Sequence, residues 1–445
     1  MFLTNGYKLG AIVSFAAGLL AMVPATARPD QVKLTTSLGT PVVMADRVEK
    51  AFVKVGIVGS SPAARAKRPP LNLAIVLDRS GSMSGEKIEK ARDAAIMMVQ
   101  RLDAGDIVSV VVFDHTVQVL VPATRLADRT AVLNAIRSIE PGGNTALFGG
   151  VSKGAAEVRK FKEKTGVNRV ILLSDGQANS GPSTPQELGD LGAALKKEGI
   201  SVTTIGLGLG YNEDLMSQLA GKSDGNHAFV ARATDLARIF DLELGDLVSV
   251  VARDVDLKVE CQPGVRPVRV LGREATIDGQ SAYATIAQLY ASQEASMILE
   301  VELSPGRAGT SREVARVSAG YTSVESNAGR ALKGSATVRF TASESEAASS
   351  TDARVMTSAV ELVATEVNKL AVTLRDQGKV EEARAALQQN AAYLLDNSRR
   401  YNSTALKDYS AVQSFDASNL DPASWAAQRK SMRKWQQNNR AAAAR

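Results

Sequence analysis

The chain has 445 residues, too many for one ordinary domain, and its 44% hydrophobic and 22% charged content is that of a folded protein rather than a disordered one. One cysteine, Cys261, excludes an intrachain disulfide, cysteine-rich zinc modules and Fe–S clusters, and two histidines, His115 and His227, argue against histidine-based catalysis or a His-rich zinc site. The net charge of +6 is uneven: residues 425–445 hold Arg429, Lys430, Arg433, Lys434, Arg440 and Arg445 with no acid, and setting these and Lys8 aside leaves −1 on residues 9–424, which is not a nucleic-acid-binding body.

Residues 1–27 read as an export signal. Lys8 supplies the positive flank, Leu9 to Met22 is almost entirely apolar, Pro24 breaks the helix, and Ala25-Thr26-Ala27 gives a small-x-small cleavage pattern. The apolar run is shorter than the ~20 residues of a spanning helix. The expected location is a bacterial periplasm or cell surface, with membrane anchoring as the alternative should the signal be retained. Cys261 lies far from the signal and reads as a half-buried sheet residue.

Residues 28–68 have strand character, notably Ala51–Val58, and are expected to pair with strands later in the chain. Leu71 to Leu77 is a near-continuous apolar run, the pattern of a strand buried on both faces. A helical stripe follows over about 86–102, carrying Ile88, Ala91, Ala95, Val99 and Leu102. Strands over Ile107–Phe113, Val170–Leu173, Val202–Ile205 and Ala228–Val230 alternate with helices over Thr130–Ile139, Ala146–Phe161, Pro185–Lys197, Asn212–Ala220 and Thr234–Leu247. This alternation predicts an α/β Rossmann-like domain at 69–248, an open, mostly parallel sheet with helices on both faces. Sites in such sheets lie at the carboxyl ends of the strands, where strand order reverses.

Period-2 stretches then take over at Val255–Val259, Ala282–Ile286, Met297–Leu303, Val314–Val317 and Ala336–Phe340, predicting a flanking β-sandwich at 249–345. From Arg354 the pattern turns helical, is broken at Gly378 and resumes over Val380–Asn397, a C-terminal helical hairpin within 346–410. Residues 411–445 read as a solvated basic tail, with weak attachment to an anionic surface as its functional alternative.

The chemistry lies in Asp78-Arg79-Ser80-Gly81-Ser82, directly after the first buried strand. One carboxylate and two hydroxyls at alternating positions offer only oxygen ligands, which suit a hard divalent cation. Two further oxygen groups fall at strand–helix junctions of the same sheet: Thr145 in Gly142-Gly143-Asn144-Thr145, and Asp175 in Leu172-Leu173-Ser174-Asp175-Gly176. Each alone has a plainer reading, as a helix cap or a turn. Three such features at one sheet edge favour metal binding.

This spacing resembles the von Willebrand factor type A domain and matches that family's metal-ion-dependent adhesion site at all five positions. The flanks look like those of bacterial secreted members and of inter-alpha-trypsin inhibitor heavy chains. The resemblance implies that Ser80, Ser82 and Thr145 bind the metal through hydroxyls, that Asp78 and Asp175 supply charge, often through water, and that one coordination position is left for an acidic residue of a partner protein. Mg2+ is the expected ion, with Ca2+ or Mn2+ able to replace it. Arg79 and Asn144 are the candidate partner contacts, and Asp114 and His115 a rim.

The leading expectation is an exported, noncatalytic protein serving adhesion or envelope assembly. One alternative is an envelope structural or assembly factor that binds through the hairpin or tail, its metal only stabilising the fold. Another is a hydrolase using Ser84 and Lys87 of an S-x-x-K stretch, although the companion motifs are missing. Gly206-Leu207-Gly208-Leu209-Gly210 lacks dinucleotide-binding spacing and reads as a strand-to-helix turn.

Overall fold

The computed structural model describes residues 32–60, 70–162, 167–208, 211–230 and 249–443, together with Ile239 and Gly245. The export signal expected over 1–27 and nearly all of the helix expected over Thr234–Leu247 lie outside these residues.

Three strands come first: β1 (Val32–Leu38), β2 (Val42–Met44) and β3 (Glu49–Gly59). An α/β layer follows: β4 (Leu71–Asp78), α1 (Glu86–Arg101), β5 (Ile107–Phe113), β6 (Val117–Arg125), α2 (Arg129–Arg137), α3 (Leu147–Arg159), β7 (Val167–Ser174), α4 (Pro185–Lys197), β8 (Ser201–Leu207), α5 (Glu213–Lys222) and β9 (His227–Val230). Then come β10 (Val250–Cys261), β11 (Val265–Leu271), β12 (Ala275–Asp278), β13 (Ser281–Tyr290), β14 (Glu294–Leu303), β15 (Ser311–Ser323) and β16 (Gly329–Thr341). The last helices are α6 (Glu344–Ser349), α7 (Ala353–Asp376), α8 (Val380–Arg400), α9 (Thr404–Ser418) and α10 (Trp425–Ala443).

The α/β sheet has the order β6-β5-β4-β7-β8-β9 and is parallel except for the β5–β6 pair. Every residue of β4, β5, β7 and β8 is buried, which explains their unbroken apolar runs. Alternation along β4 sends Leu71, Leu73, Ile75 and Leu77 toward α1 and α2, while Ala74 and Val76 join the layer beneath α3, α4 and α5. Sequence reading missed β6, a half-exposed edge strand that carries Pro122, a residue tolerated only where no ladder partner is needed. The chain runs outward from β4 to β5 and β6, then returns to β7 on the other flank of β4. Strand order therefore reverses between β4 and β7.

Two sheets build the sandwich: β1-β3-β14-β11 and β12-β13-β10-β15-β16-β2. Their shared core takes Val53, Val55 and Ile57 from β3 together with Leu257, Leu299 and Val317 from strands after the α/β layer. The chain thus leaves the sandwich after β3 and re-enters it at β10. Cys261 is buried rather than half-buried, and its surroundings push the thiol pKa up to about 11. Arg169 of β7, fully buried, joins the two layers by donating to Thr203 and to Gln288 and Tyr290 of β13.

The hairpin α7–α8 is present and is extended by α9 and α10. The expectation of a solvated tail over 411–445 is overturned: residues 404–418 form α9, and α10 packs on α7 through Met432, Trp425 and Trp435. Several of its basic residues have acidic counterparts inside the molecule. Arg429 pairs with Glu213, Asp214 and Asp376, and Arg433 with Asp214. A charge run looks like a free tail only while its partners, from 53 to more than 200 positions away, are unseen.

Candidate metal centre

Asp78 ends β4 and Ser174 ends β7, so Asp78 and Asp175 emerge side by side where strand order reverses. Asp78 is wholly buried and held at both oxygens: Ser80 N–H donates to Oδ1 at 2.8 Å and Ser174 Oγ to Oδ2 at 2.6 Å. Burial drives its pKa up to about 6; the two serines oppose this by stabilising the anion, while the nearby Asp175 charge adds to it. A cation at this edge would relieve the crowding of two carboxylates.

The Thr145 loop is fastened to both strand ends. Gly81 N–H donates to Gly143 O at 2.9 Å, and Gly142 N–H to Arg79 O at 2.7 Å. On the other flank, Thr145 N–H donates to Asn179 Oδ1 at 2.8 Å, and Thr145 O accepts from the N–H groups of Asn179 and Ser180. Gly143 has φ +78, and a Cβ there would stand 2.3 Å from His115 Nδ1. The left-handed φ favours glycine, and the exposed His115 side chain would have to swing aside for any larger residue. Ser80 and Ser82 bring their hydroxyl oxygens within 3.1 Å of each other, and Thr145 is buried.

The fit to a cation rests on Asp175. It is wholly buried, its Oδ2 takes Lys87 Nζ at 2.9 Å, and its Oδ1 is buried with no hydrogen-bond partner among the described residues. An orphaned carboxylate oxygen is costly in a folded protein unless something positive meets it. The hydroxyls of Ser80, Ser82 and Thr145 and the carboxylates of Asp78 and Asp175 are the kinds of donor that suit a hard divalent ion. No three His, Cys, Asp or Glu side chains cluster as a metal group among the described residues, as expected where hydroxyls form most of the donor set.

Residues 72–242 match the von Willebrand factor type A domain family. The chain carries a von Willebrand factor type A domain. Such domains typically bind a divalent cation and commonly mediate adhesion and protein binding. Two solved structures share the fold over nearly the whole chain. A von Willebrand factor type A protein from Catenulispora acidiphila has TM-score 0.68 and 16% identity, covering 89% of this chain and 92% of that one. The ArnB paralog VWA2 from Sulfolobus acidocaldarius has TM-score 0.62 and 20% identity, covering 93% and 99%. Among curated relatives, the uncharacterized protein sll0103 of Synechocystis is 28% identical over 54% of this chain, and YfbK of Escherichia coli 25% identical over 51%. The matches span 60% and 40% of those two relatives' lengths. Human inter-alpha-trypsin inhibitor heavy chain H3 is 27% identical over 43% of this chain and 22% of its own length.

Around the type A domain's strand ends the remaining candidates divide. Arg79 forms an ion pair with Asp114 at 3.0 Å, so its charge is already met. Burial disfavours the Asp114 anion, but hydrogen bonds from Thr116 and the Arg79 charge outweigh this and hold its pKa below the ordinary range. Asn144 is exposed at the rim, and His115 stands beside Asp114. The Ser84–Lys87 pair does not form as the hydrolase alternative requires: Lys87 Nζ donates to Asp175 and to Ser82 O, while Ser84 is exposed. Sequence reading had assigned no metal-site role to Ser174 or Lys87; only the pairing of β4 with β7 brings them there. His227 bonds Thr204 and Tyr211, and burial lowers its pKa to about 4.

Proposed function

We propose that this is an exported, noncatalytic binding protein. It holds a divalent cation, preferentially Mg2+, among Asp78, Ser80, Ser82, Thr145 and Asp175, and through that ion grips an acidic side chain of a partner protein in adhesion or envelope assembly. The observation that carries this reading is the orphaned, buried Oδ1 of Asp175 beside a second buried carboxylate and a hydroxyl-rich loop. Ser80, Ser82 and Thr145 would supply neutral oxygens, and Asp78 and Asp175 the charge. When bound, the cation supplies an electrophilic position for a carboxylate oxygen. The chain's own residues do the positioning: Ser174 and the Ser80 amide fix Asp78, while Asn179 fixes the Thr145 backbone. Asn144, exposed on the Thr145 loop, would contact the partner, and Arg79 would act mainly by holding Asp114.

Export rests on the leader at 1–27. No helix among the described residues is long and apolar enough to cross a membrane. The hairpin-or-tail alternative is weakened because Arg429 and Arg433 are already paired within the molecule.

Isothermal titration of the full chain with Mg2+, Ca2+ and Mn2+ tests the reading. Saturable binding is expected in the wild type and its loss in Asp78→Ala and Thr145→Ala. Absence of heat with all three ions in the wild type overturns it. A pulldown from envelope extract should then lose its bound protein on adding EDTA and with Asp78→Ala.

A further inference from the structure

We propose that Lys87 is a built-in counter-charge of the metal centre: it lowers the affinity for the divalent ion and leaves the loaded site one positive charge, to be cancelled by a single partner carboxylate. This rests on the metal reading above and assigns a role to a residue outside the five ligand candidates.

Lys87 is the second residue of α1, at the positive end of the helix dipole, where a cation is disfavoured. It is held there by specific contacts. Nζ donates to Asp175 Oδ2 at 2.9 Å and to Ser82 O at 3.0 Å, reaching both the β7 loop and the loop after β4. Its stem runs over Gly208, where a Cβ would stand 3.0 Å from Lys87 Cε; Gly208 also has φ +80. Gly208 therefore has a local purpose, a passage for this side chain.

The formal charges follow. Asp78 and Asp175 bring two negative charges, and a divalent ion brings two positive ones. Arg79 and Asp114 cancel each other. Lys87 then leaves one positive charge unmatched. Without the ion, the same ammonium keeps the buried Asp175 paired at Oδ2, so the empty site remains tolerable. Because the ammonium and the ion share Asp175, each weakens the other's hold. The partner's carboxylate restores neutrality, so ion and partner bind cooperatively.

The test uses the full chain, Lys87→Gln, and Lys87→Arg as the charge-retaining control. In Mg2+ titrations, Lys87→Gln is expected to bind about tenfold tighter, a figure that allows for the partial exposure of the lysine. Lys87→Arg should stay near the wild-type affinity. In EDTA, Lys87→Gln should melt at lower temperature than the wild type, and saturating Mg2+ should remove the difference. Equal or weaker Mg2+ binding by Lys87→Gln, with the wild type binding normally, overturns the role of Lys87 and leaves the metal reading intact. No binding by the wild type overturns both.

Discussion

Ser174 donates its hydroxyl hydrogen to Oδ2 of Asp78 at 2.6 Å across the β4–β7 strand pair, and Ser174 Oγ itself accepts from Gly176 N–H at 2.8 Å. One small side chain thus fixes the buried carboxylate and shapes the turn that carries Asp175. Ser174→Ala should cost about 2 kcal/mol in urea unfolding at pH 7, the scale of a lost hydrogen bond to a buried charged group. It should raise the Asp78 pKa further and weaken Mg2+ binding. Unchanged Mg2+ affinity would refute a positioning role for Ser174.

The Thr145 loop depends on Gly143. Gly143→Ala must hold a left-handed φ and push aside His115, so a loss of about 1–3 kcal/mol is expected. His115→Ala in the same background should recover only the part due to the clash. Thermal melting of the two variants separates strain from crowding, and full recovery by the double variant would contradict the backbone argument.

Arg429 joins three elements. It pairs with Glu213 and Asp214 at the start of α5 and with Asp376 at the end of α7, and its pKa is held above the ordinary arginine value: burial acts against the charge, but the carboxylates prevail. Arg429→Ala leaves Glu213, which is buried, with Lys430 at 3.9 Å as its remaining ion-pair partner among the described residues. A loss of about 3 kcal/mol follows. Hydrogen exchange should quicken in α5 and α10 together; exchange confined to α10 would show that the two helices are not coupled.

Asp416 gives the helical region a pH dependence. It is buried, and its hydrogen bonds come from the amides of Asn368, Gln413 and Gln428. Burial raises its pKa to about 7, only partly offset by those amides. The folded chain therefore keeps a proton that the unfolded chain loses near pH 4. Stability is fully present below that value and is lost as pH rises through 7, by about 2–3 kcal/mol between pH 5 and pH 8. Both tryptophans lie in α10, so urea unfolding followed by tryptophan fluorescence reads this region directly. Asp416→Asn should flatten the dependence; a wild-type curve already flat would refute it.

The α/β layer and the sandwich were legible because burial writes itself into the chain at short range. Continuous apolar runs marked β4, β5, β7 and β8, and period 2 marked β10, β13, β14, β15 and β16. Strands β11 and β12 escaped because a bulge between Pro267 and Arg269 breaks the period of β11 and β12 is only four residues long. The five ligand candidates could be proposed from the sequence because each follows the end of a strand or shortly precedes a helix, and a parallel sheet puts such junctions on one edge.

Local pattern therefore sufficed for most of the elements, the layer type and the choice of ligand candidates, since each depends on neighbours within a few residues. Charge partnership could not be read that way. That Lys87 meets Asp175 rather than Ser84, that Arg79 is spent on Asp114, and that the basic end of the chain docks on α5 all depend on contacts 35 to more than 200 positions apart. Electrostatic energy depends on distance in space, and only the folded chain sets that distance.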